Sequence, residues 1–292
     1  MKASILAYGG RRYLWLALLV TAGIAGIYLV HDPQEPPNGG TVLGYTLGAV
    51  ATALVLWLTA FGIRKRRYHS TQGTVQGWLS AHVYLGLALP LIVLLHAGFQ
   101  LGPNVHTLAF VLLLLVVASG IVGVWFYANY PARMSHNRGG ANRTELLDQL
   151  DDIDERSRRA ANSLGEDFRD AIASGIARTQ LGGTAWSRLT GRDESQVVLP
   201  ANGGSRVAAN AGQEALLDWL ADRQARSADA HEGAAIGELS ALLRNKRRLL
   251  KTLAGDMQLE ARLAIWLFAH VPLTAALLAA LVVHIVTVFL YW

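Results

Sequence analysis

Four histidines lie in two apolar stretches and repeat one spacing. Thirteen residues separate His82 from His96, and thirteen separate His270 from His284. In an α-helix, fourteen residues advance about 21 Å and turn through about 1400°, close to four full turns, so both members of a pair lie on one face. In a hydrocarbon layer about 30 Å thick, that rise would place one histidine in each leaflet.

Two such helices lying side by side and running in the same direction would bring His82 opposite His270 and His96 opposite His284. Each pairing offers two imidazoles to a metal between them, as bis-imidazole coordination of haem iron requires. A single histidine in an apolar helix is more often hydrogen-bonded to a neighbouring helix. Ionisable groups at membrane depth are costly, however, and the repeated spacing on both helices favours two bound haems.

Composition predicts an integral membrane protein without thiol chemistry. Hydrophobic residues make up 52% of the 292 residues, and the mean hydropathy is positive. The chain has no cysteine, which excludes disulfides, Fe–S clusters held by thiolates and the attachment site of c-type haem. Any haem would therefore be held by coordination and packing, as in b-type cytochromes.

Apolar runs predict five transmembrane helices, and the charges of the loops predict their orientation. The predicted spans are residues 13–30, 41–63, 78–100, 105–130 and 263–292. Lys and Arg cluster at the N-terminus and in residues 64–67, 133–143 and 244–251, whereas residues 31–40, residues 100–106 and the C-terminus have none. The positive-inside rule then predicts a bacterial-type inner membrane protein with a cytoplasmic N-terminus and an outer C-terminus. The third and fifth helices would run parallel, as the histidine pairing requires.

The polar segment 131–261 is predicted to be a mainly helical cytoplasmic domain inserted between membrane segments 1–130 and 262–292. Helices are expected at residues 143–163, 166–178, 213–226 and 236–256, with short strands at 196–199 and 205–208. Neither a G-x-G-x-x-G fingerprint nor a P-loop is present, so no nucleotide site is predicted. The segment's 18 basic and 19 acidic residues nearly cancel, which leaves the net charge of +5 to the membrane flanks and predicts no nucleic-acid binding. The domain would dock a partner or cover the inner haem, unless it merely separates two helices.

The stretches HVYLGLALPLIVLLH and HVPLTAALLAALVVH resemble the ligand helices of bis-histidine dihaem b-type membrane cytochromes. That group includes ferric-reductase-like transmembrane domains and the cytochrome b of quinol-oxidising complexes. The resemblance covers the membrane portion and implies a haem-binding helical bundle in which two haem b groups share four axial ligands, His82, His270, His96 and His284. The chain differs from the eukaryotic-type ferric reductases in lacking a flavin and nicotinamide module. It differs from cytochrome b in its five spans and its large insertion.

Further residues are expected around the haems. Gly86, four residues after His82, would remove a side chain where a flat macrocycle approaches the helix. Haem propionates need cationic or hydrogen-bonding partners. The inner candidates are Arg66, Arg67 and Arg262, and the outer candidate is His106.

An iron with imidazole at both axial positions has no open site for substrate, so its readiest use is electron transfer. The sequence therefore predicts the electron-transfer subunit of a respiratory or redox complex, of quinol- or ferric-reductase type. Its partners would be an Fe–S, flavin or cytochrome c protein, or quinone. The alternative is a permease whose four membrane histidines relay iron or zinc, although no Asp or Glu lies between the histidines of either pair. A signalling or scaffold protein, with residues 131–261 as its active part, is a third hypothesis.

Overall fold

The computed structural model describes residues 5–31, 38–66, 73–137, 141–201 and 204–291. Of these described residues, 82% are helical. It divides into two compact units, one made of Met1–Ala128 with Trp266–Trp292 and the other of Asn129–Ile265. The second unit lies close to the expected insertion at residues 131–261.

Five helices are long and apolar enough to cross a membrane, which confirms the number of spans predicted from the sequence. They are Ile5–Val30, Val42–Arg66, Val75–His96, Val105–Tyr130 and the apolar part of Ala230–Leu290. Many of their large apolar side chains are exposed, as in Leu19 and Leu29. Because lipid tails solvate such side chains well, this exposure is typical of a multi-pass membrane protein.

The first unit begins with a short 3₁₀ segment, Ile5–Arg11, that the sequence analysis did not predict. The longer helices are α1 (Arg12–Val30), α2 (Val42–Arg66), α3 (Val75–His96) and α4 (Val105–Asn137). A last helix, α9 (Ala230–Tyr291), contributes its C-terminal part to this unit.

Local signals fix the ends of α3, the first of the two histidine helices. The side chain of Thr74 caps its N-terminus by accepting a hydrogen bond from the Gly77 amide. After His96 the chain turns through Gly98 and Phe99, whose φ angles are 58° and 61°. Gly98 is therefore needed for the left-handed turn that ends the helix.

A buried apolar layer joins four helices of the first unit. It contains Ala51, Val55 and Leu58 of α2, Leu89 and Ile92 of α3, Leu113 of α4 and Leu277 of α9. Leu89 lies seven residues after His82, and Leu277 lies seven residues after His270. The layer therefore lies midway between the two histidines of each of these helices.

The second unit is mainly helical, as predicted. Its helices are α5 (Arg143–Asn162), α6 (Glu166–Ala177), α7 (Ala185–Thr190), α8 (Glu214–Arg226) and the first part of α9. Strands β1 (Gln196–Ala201) and β2 (Gly204–Ala209) form an antiparallel pair at the predicted place. Helix α7 was missed because it is short and lies in a Gly- and Thr-rich stretch, where Thr184 caps it and Gly191 ends it.

Two apolar clusters and one buried ion pair hold the second unit together. The larger cluster includes Phe168, Ile172 and Leu239. The Lys246 side chain is fully buried, and its Nζ lies 2.7 Å from Oδ1 of Asp154. A charged side chain is tolerated at such a position only when a partner compensates its lost hydration.

Candidate functional site

The four membrane histidines meet in the two pairs expected from their spacing. The ring centroids of His96 and His284 lie 6.0 Å apart, with the rings nearly perpendicular at 88°. His82 and His270 are close enough to interact electrostatically. Because the pairs follow the same order along both helices, α3 and this part of α9 run in the same direction. We call His82 with His270 the inner pair and His96 with His284 the outer pair, after the orientation that the loop charges predict.

Main-chain carbonyls of α2 hold both histidines of α3. The Nδ1 atom of His82 lies 3.0 Å from the Leu58 carbonyl oxygen, and that of His96 lies 2.7 Å from the Gly44 carbonyl oxygen. A carbonyl oxygen only accepts, so Nδ1 carries the donated proton in both rings. Each neutral ring then has an unprotonated Nε2, the form in which an imidazole binds a metal.

The same spacing recurs on α2 because that helix runs antiparallel to α3. Leu58 and Gly44 are fourteen residues apart, as are His82 and His96. An antiparallel neighbour in register therefore offers one carbonyl to each ring.

Gly48 of α2 and Gly39, just before that helix, let the His96 ring approach the backbone closely. A Cβ atom at Gly48 would stand 2.7 Å from Cε1 of His96, and one at Gly39 would stand 3.4 Å from the same atom. Gly48 therefore leaves room for the imidazole of His96 against α2.

A serine of α4 holds His270. The hydroxyl of Ser119 donates its one proton to the Val116 carbonyl at 2.8 Å. Its Oγ lies 2.7 Å from Nδ1 of His270, so it must accept the proton of that nitrogen. His270 therefore has the same tautomer as the two histidines of α3.

Trp266 supports this contact from one helical turn before His270. Its indole Nε1 donates to the Ser119 carbonyl at 2.7 Å, and its ring stacks on His270 with centroids 5.3 Å apart. A side chain at Gly123 would overlap the indole, so this glycine provides the space that Trp266 occupies.

His284 differs from the other three histidines. Its Nδ1 atom is buried and has no hydrogen-bond partner among the described residues. The ring beside it is that of His106, with centroids 4.4 Å apart and planes at 86°. His106 was expected at the outer haem or its propionates, and the structure places it against one of the expected axial ligands.

Gly86, Arg66 and Arg262 are the other expected site residues that the structure describes. A Cβ atom at Gly86 would meet no other described atom within 4 Å, so the α3 surface is open there. Arg66 is exposed at the end of α2, and Arg262 is exposed in the unit Asn129–Ile265. Arg67 lies outside the described residues.

The residues that hold the rings were not predicted from the sequence. Leu58 and Gly44 act through main-chain oxygens, which any residue type possesses. Ser119 and Trp266 act through side chains. A signal for Trp266 was present, because WLSAH ends at His82 and WLFAH ends at His270. The equivalent Trp78 stacks on Trp57 instead, with centroids 4.8 Å apart.

The separation of the outer rings fits one metal ion between two imidazoles. A metal–nitrogen bond of about 2.0–2.1 Å and a ring radius of about 1.2 Å on each side place the centroids about 6.4 Å apart. The observed separation is 6.0 Å. The spacing of the outer rings is therefore compatible with a metal between them. Within the described ranges, no group of three or more His, Asp or Glu is placed to hold an ion.

Comparison with protein-family models, curated proteins and solved structures finds no match to this chain.

Proposed function

We propose that this protein is a dihaem b-type cytochrome that carries electrons across a membrane. One haem would be held by His82 and His270, and the second by His96 and His284. The observation that carries the proposal is the parallel pairing of four histidines, three of which are held at Nδ1 with Nε2 left to bind a metal.

The donor set suits haem. Two neutral imidazoles complete the coordination of an iron that already has four nitrogens from its macrocycle, and they add no charge to an apolar site. When bound, such a group supplies a one-electron couple with no open position for oxygen or substrate. The protein's own contribution is to fix the tautomer and orientation of each ring through Leu58, Gly44 and Ser119.

The apolar layer between the pairs supports transfer of electrons rather than ions. Leu89, Leu113 and Leu277 are buried there, at 2%, 4% and 5% exposure. Fourteen residues of helix place the two pairs about 21 Å apart along the axis. A dry layer of this kind opposes the passage of a hydrated metal ion or a proton, because neither finds a polar partner in it. The same layer disfavours relay of iron or zinc by the four histidines.

The chain offers no thiolate to hold an Fe–S centre of its own. We therefore propose that it acts as a subunit of a redox complex and exchanges electrons with quinone or with an Fe–S, flavin or cytochrome c protein. The loop charges favour a cytoplasmic side for the N-terminus and for residues 131–261.

The test is a reduced-minus-oxidised spectrum of the purified full-length protein, together with its haem content. We expect a b-type α-band and two low-spin haems per chain. A haem content of zero or one would contradict the proposal, and binding of iron or zinc without haem would favour the permease.

Single histidine replacements test the pairing. His82→Ala and His270→Ala should each remove the inner haem and leave the outer one, whereas His96→Ala and His284→Ala should do the converse. His231→Ala, at an exposed position of the second unit, is the matched control and should keep both haems. If His82→Ala behaves like His284→Ala instead, the parallel pairing is wrong.

A further inference from the structure

Three of the four paired histidines have a hydrogen-bond partner at Nδ1, and His284 does not. The partners of His82, His96 and His270 are the Leu58 carbonyl, the Gly44 carbonyl and the Ser119 hydroxyl. Nδ1 of His284 is buried and has none within the part of the chain that the structure describes. A buried polar atom without a hydrogen-bond partner is destabilising, so a neighbouring group that could accept its hydrogen bond is of interest.

The arrangement of the helices indicates where that group lies. On α2 the two acceptors, Leu58 and Gly44, are fourteen residues apart, and they serve the inner and the outer ring of α3. On α4 the acceptor of the inner ring is Ser119, and His106 lies thirteen residues before it. His106 therefore takes the place on α4 that Gly44 has on α2. Its ring does lie against His284, with centroids 4.4 Å apart.

We propose that His106 is the positioning residue of His284 and accepts the hydrogen bond of its Nδ1–H. This inference rests on the proposed function, since it assigns His284 as a ligand of the outer haem and His106 as the support of that ligand. His106 acts through His284 and does not bind the metal.

The required movement is small. Two imidazoles joined by a linear hydrogen bond of about 2.9 Å have their centroids about 5.2 Å apart. The two rings, at 4.4 Å, must therefore separate by about 0.8 Å. They are nearly perpendicular, at 86°. The terminal torsion of a histidine has a broad, shallow minimum, so the His106 ring can turn a nitrogen towards Nδ1 of its neighbour.

The hydrogen bond from His284 to His106 would lower the midpoint potential of the outer haem. An acceptor at Nδ1 holds the ring in one orientation and makes Nε2 a stronger electron donor. A stronger donor stabilises the oxidised iron relative to the reduced iron. Loss of the acceptor should therefore raise the midpoint potential of the outer haem and leave the inner haem unaffected.

The experiment compares His106→Leu with His106→Gln in the full-length protein. The leucine removes the acceptor, and the glutamine keeps one in its amide oxygen. Readouts are the midpoint potential of each haem by redox titration and the electron paramagnetic resonance signal of each low-spin iron. His96→Ala, which lacks the outer haem, identifies the signals of the inner one. His231→Leu controls for the loss of a histidine elsewhere.

We expect His106→Leu to raise the outer midpoint potential and to broaden the outer low-spin signal, since the His284 ring is then free to turn. His106→Gln should return both readouts towards wild type. Two haems with unchanged potentials and signals in His106→Leu would overturn this inference alone. An outer haem that stays six-coordinate in His284→Ala but not in His106→Leu/His284→Ala would make His106 a ligand and would also overturn it. A wild-type protein without two haems would overturn the proposed function itself.

Discussion

Replacing Gly48 by alanine should displace the His96 ring and abolish the proposed outer haem. The new Cβ atom would stand 2.7 Å from Cε1 and 3.0 Å from Nδ1 of His96. Carbon atoms in contact are about 3.5–4.0 Å apart, so the ring must move by about 1 Å. Ligand distances in metal sites are held within about 0.2 Å, so a shift of that size breaks coordination. It would also stretch the hydrogen bond from His96 to the Gly44 carbonyl.

The fold itself should survive this change. Overpacking a buried site costs about 1–3 kcal/mol, and the better helix propensity of alanine offsets about 1 kcal/mol of that cost. Gly62→Ala is the matched control on the same helix. Gly62 follows the acceptor Leu58 by four residues, as Gly48 follows the acceptor Gly44, but a Cβ atom at Gly62 would meet nothing within 4 Å.

The assay is haem content and the reduced-minus-oxidised spectrum of both purified variants, with the thermal unfolding midpoint as a check on folding. We expect one haem per chain in Gly48→Ala and two in Gly62→Ala, with helical content unchanged in both. A Gly48→Ala protein that keeps two haems with wild-type spectra would refute the steric argument and with it the assignment of His96 as a ligand.

Three other predictions concern the inner pair, the second unit and the orientation. Ser119→Ala removes the acceptor of His270 and should weaken binding of the inner haem by about 10–100-fold, measured by haem titration, whereas the outer haem stays bound. Asp154→Ala leaves Lys246 buried without its partner and should destabilise the second unit by about 3–5 kcal/mol, measured by chemical denaturation of the full chain. The double variant Asp154→Leu/Lys246→Met, which removes both charges, should have a stability close to that of the wild type. Equal losses of stability in both variants would contradict the ion-pair argument. A reporter fused after Trp292 should be active only outside, and one inserted within residues 180–210 only inside; the reverse would exchange the inner and outer labels.

Much of the fold could be predicted because its signals are local. Apolar length identified the five spans, and apolar periodicity identified α5, α6 and α8 within a residue or two. Helix α9 was harder to predict. It begins at Ala230, well before the expected residue 236, and its polar and apolar parts form one continuous helix. No periodicity marks a helix of six residues such as α7.

The pairing of the four histidines could be predicted from the sequence, whereas the groups that hydrogen-bond to them could not. Spacing alone determines which faces the histidines share, so the pairs followed from helix geometry. The acceptors at Leu58 and Gly44 could not be predicted, because every residue type has a main-chain carbonyl oxygen. Ser119 only weakly indicates a histidine contact in the sequence, because a single hydroxyl in an apolar helix more often hydrogen-bonds to a carbonyl in the preceding turn of its own helix. It does so here as well, and that bond leaves Oγ free to accept from His270.

The two kinds of acceptor differ in how they respond to mutation. The rings of α3 are held by main-chain oxygens of α2, which no substitution of Leu58 or Gly44 itself deletes. The hydrogen bond of His270 depends on a side chain of α4, and a single codon change at Ser119 can strengthen, weaken or remove it. Substitution of Ser119 can therefore adjust the proposed potential of the inner haem while the acceptors on α2 remain in place, and efforts to change that potential should begin at Ser119.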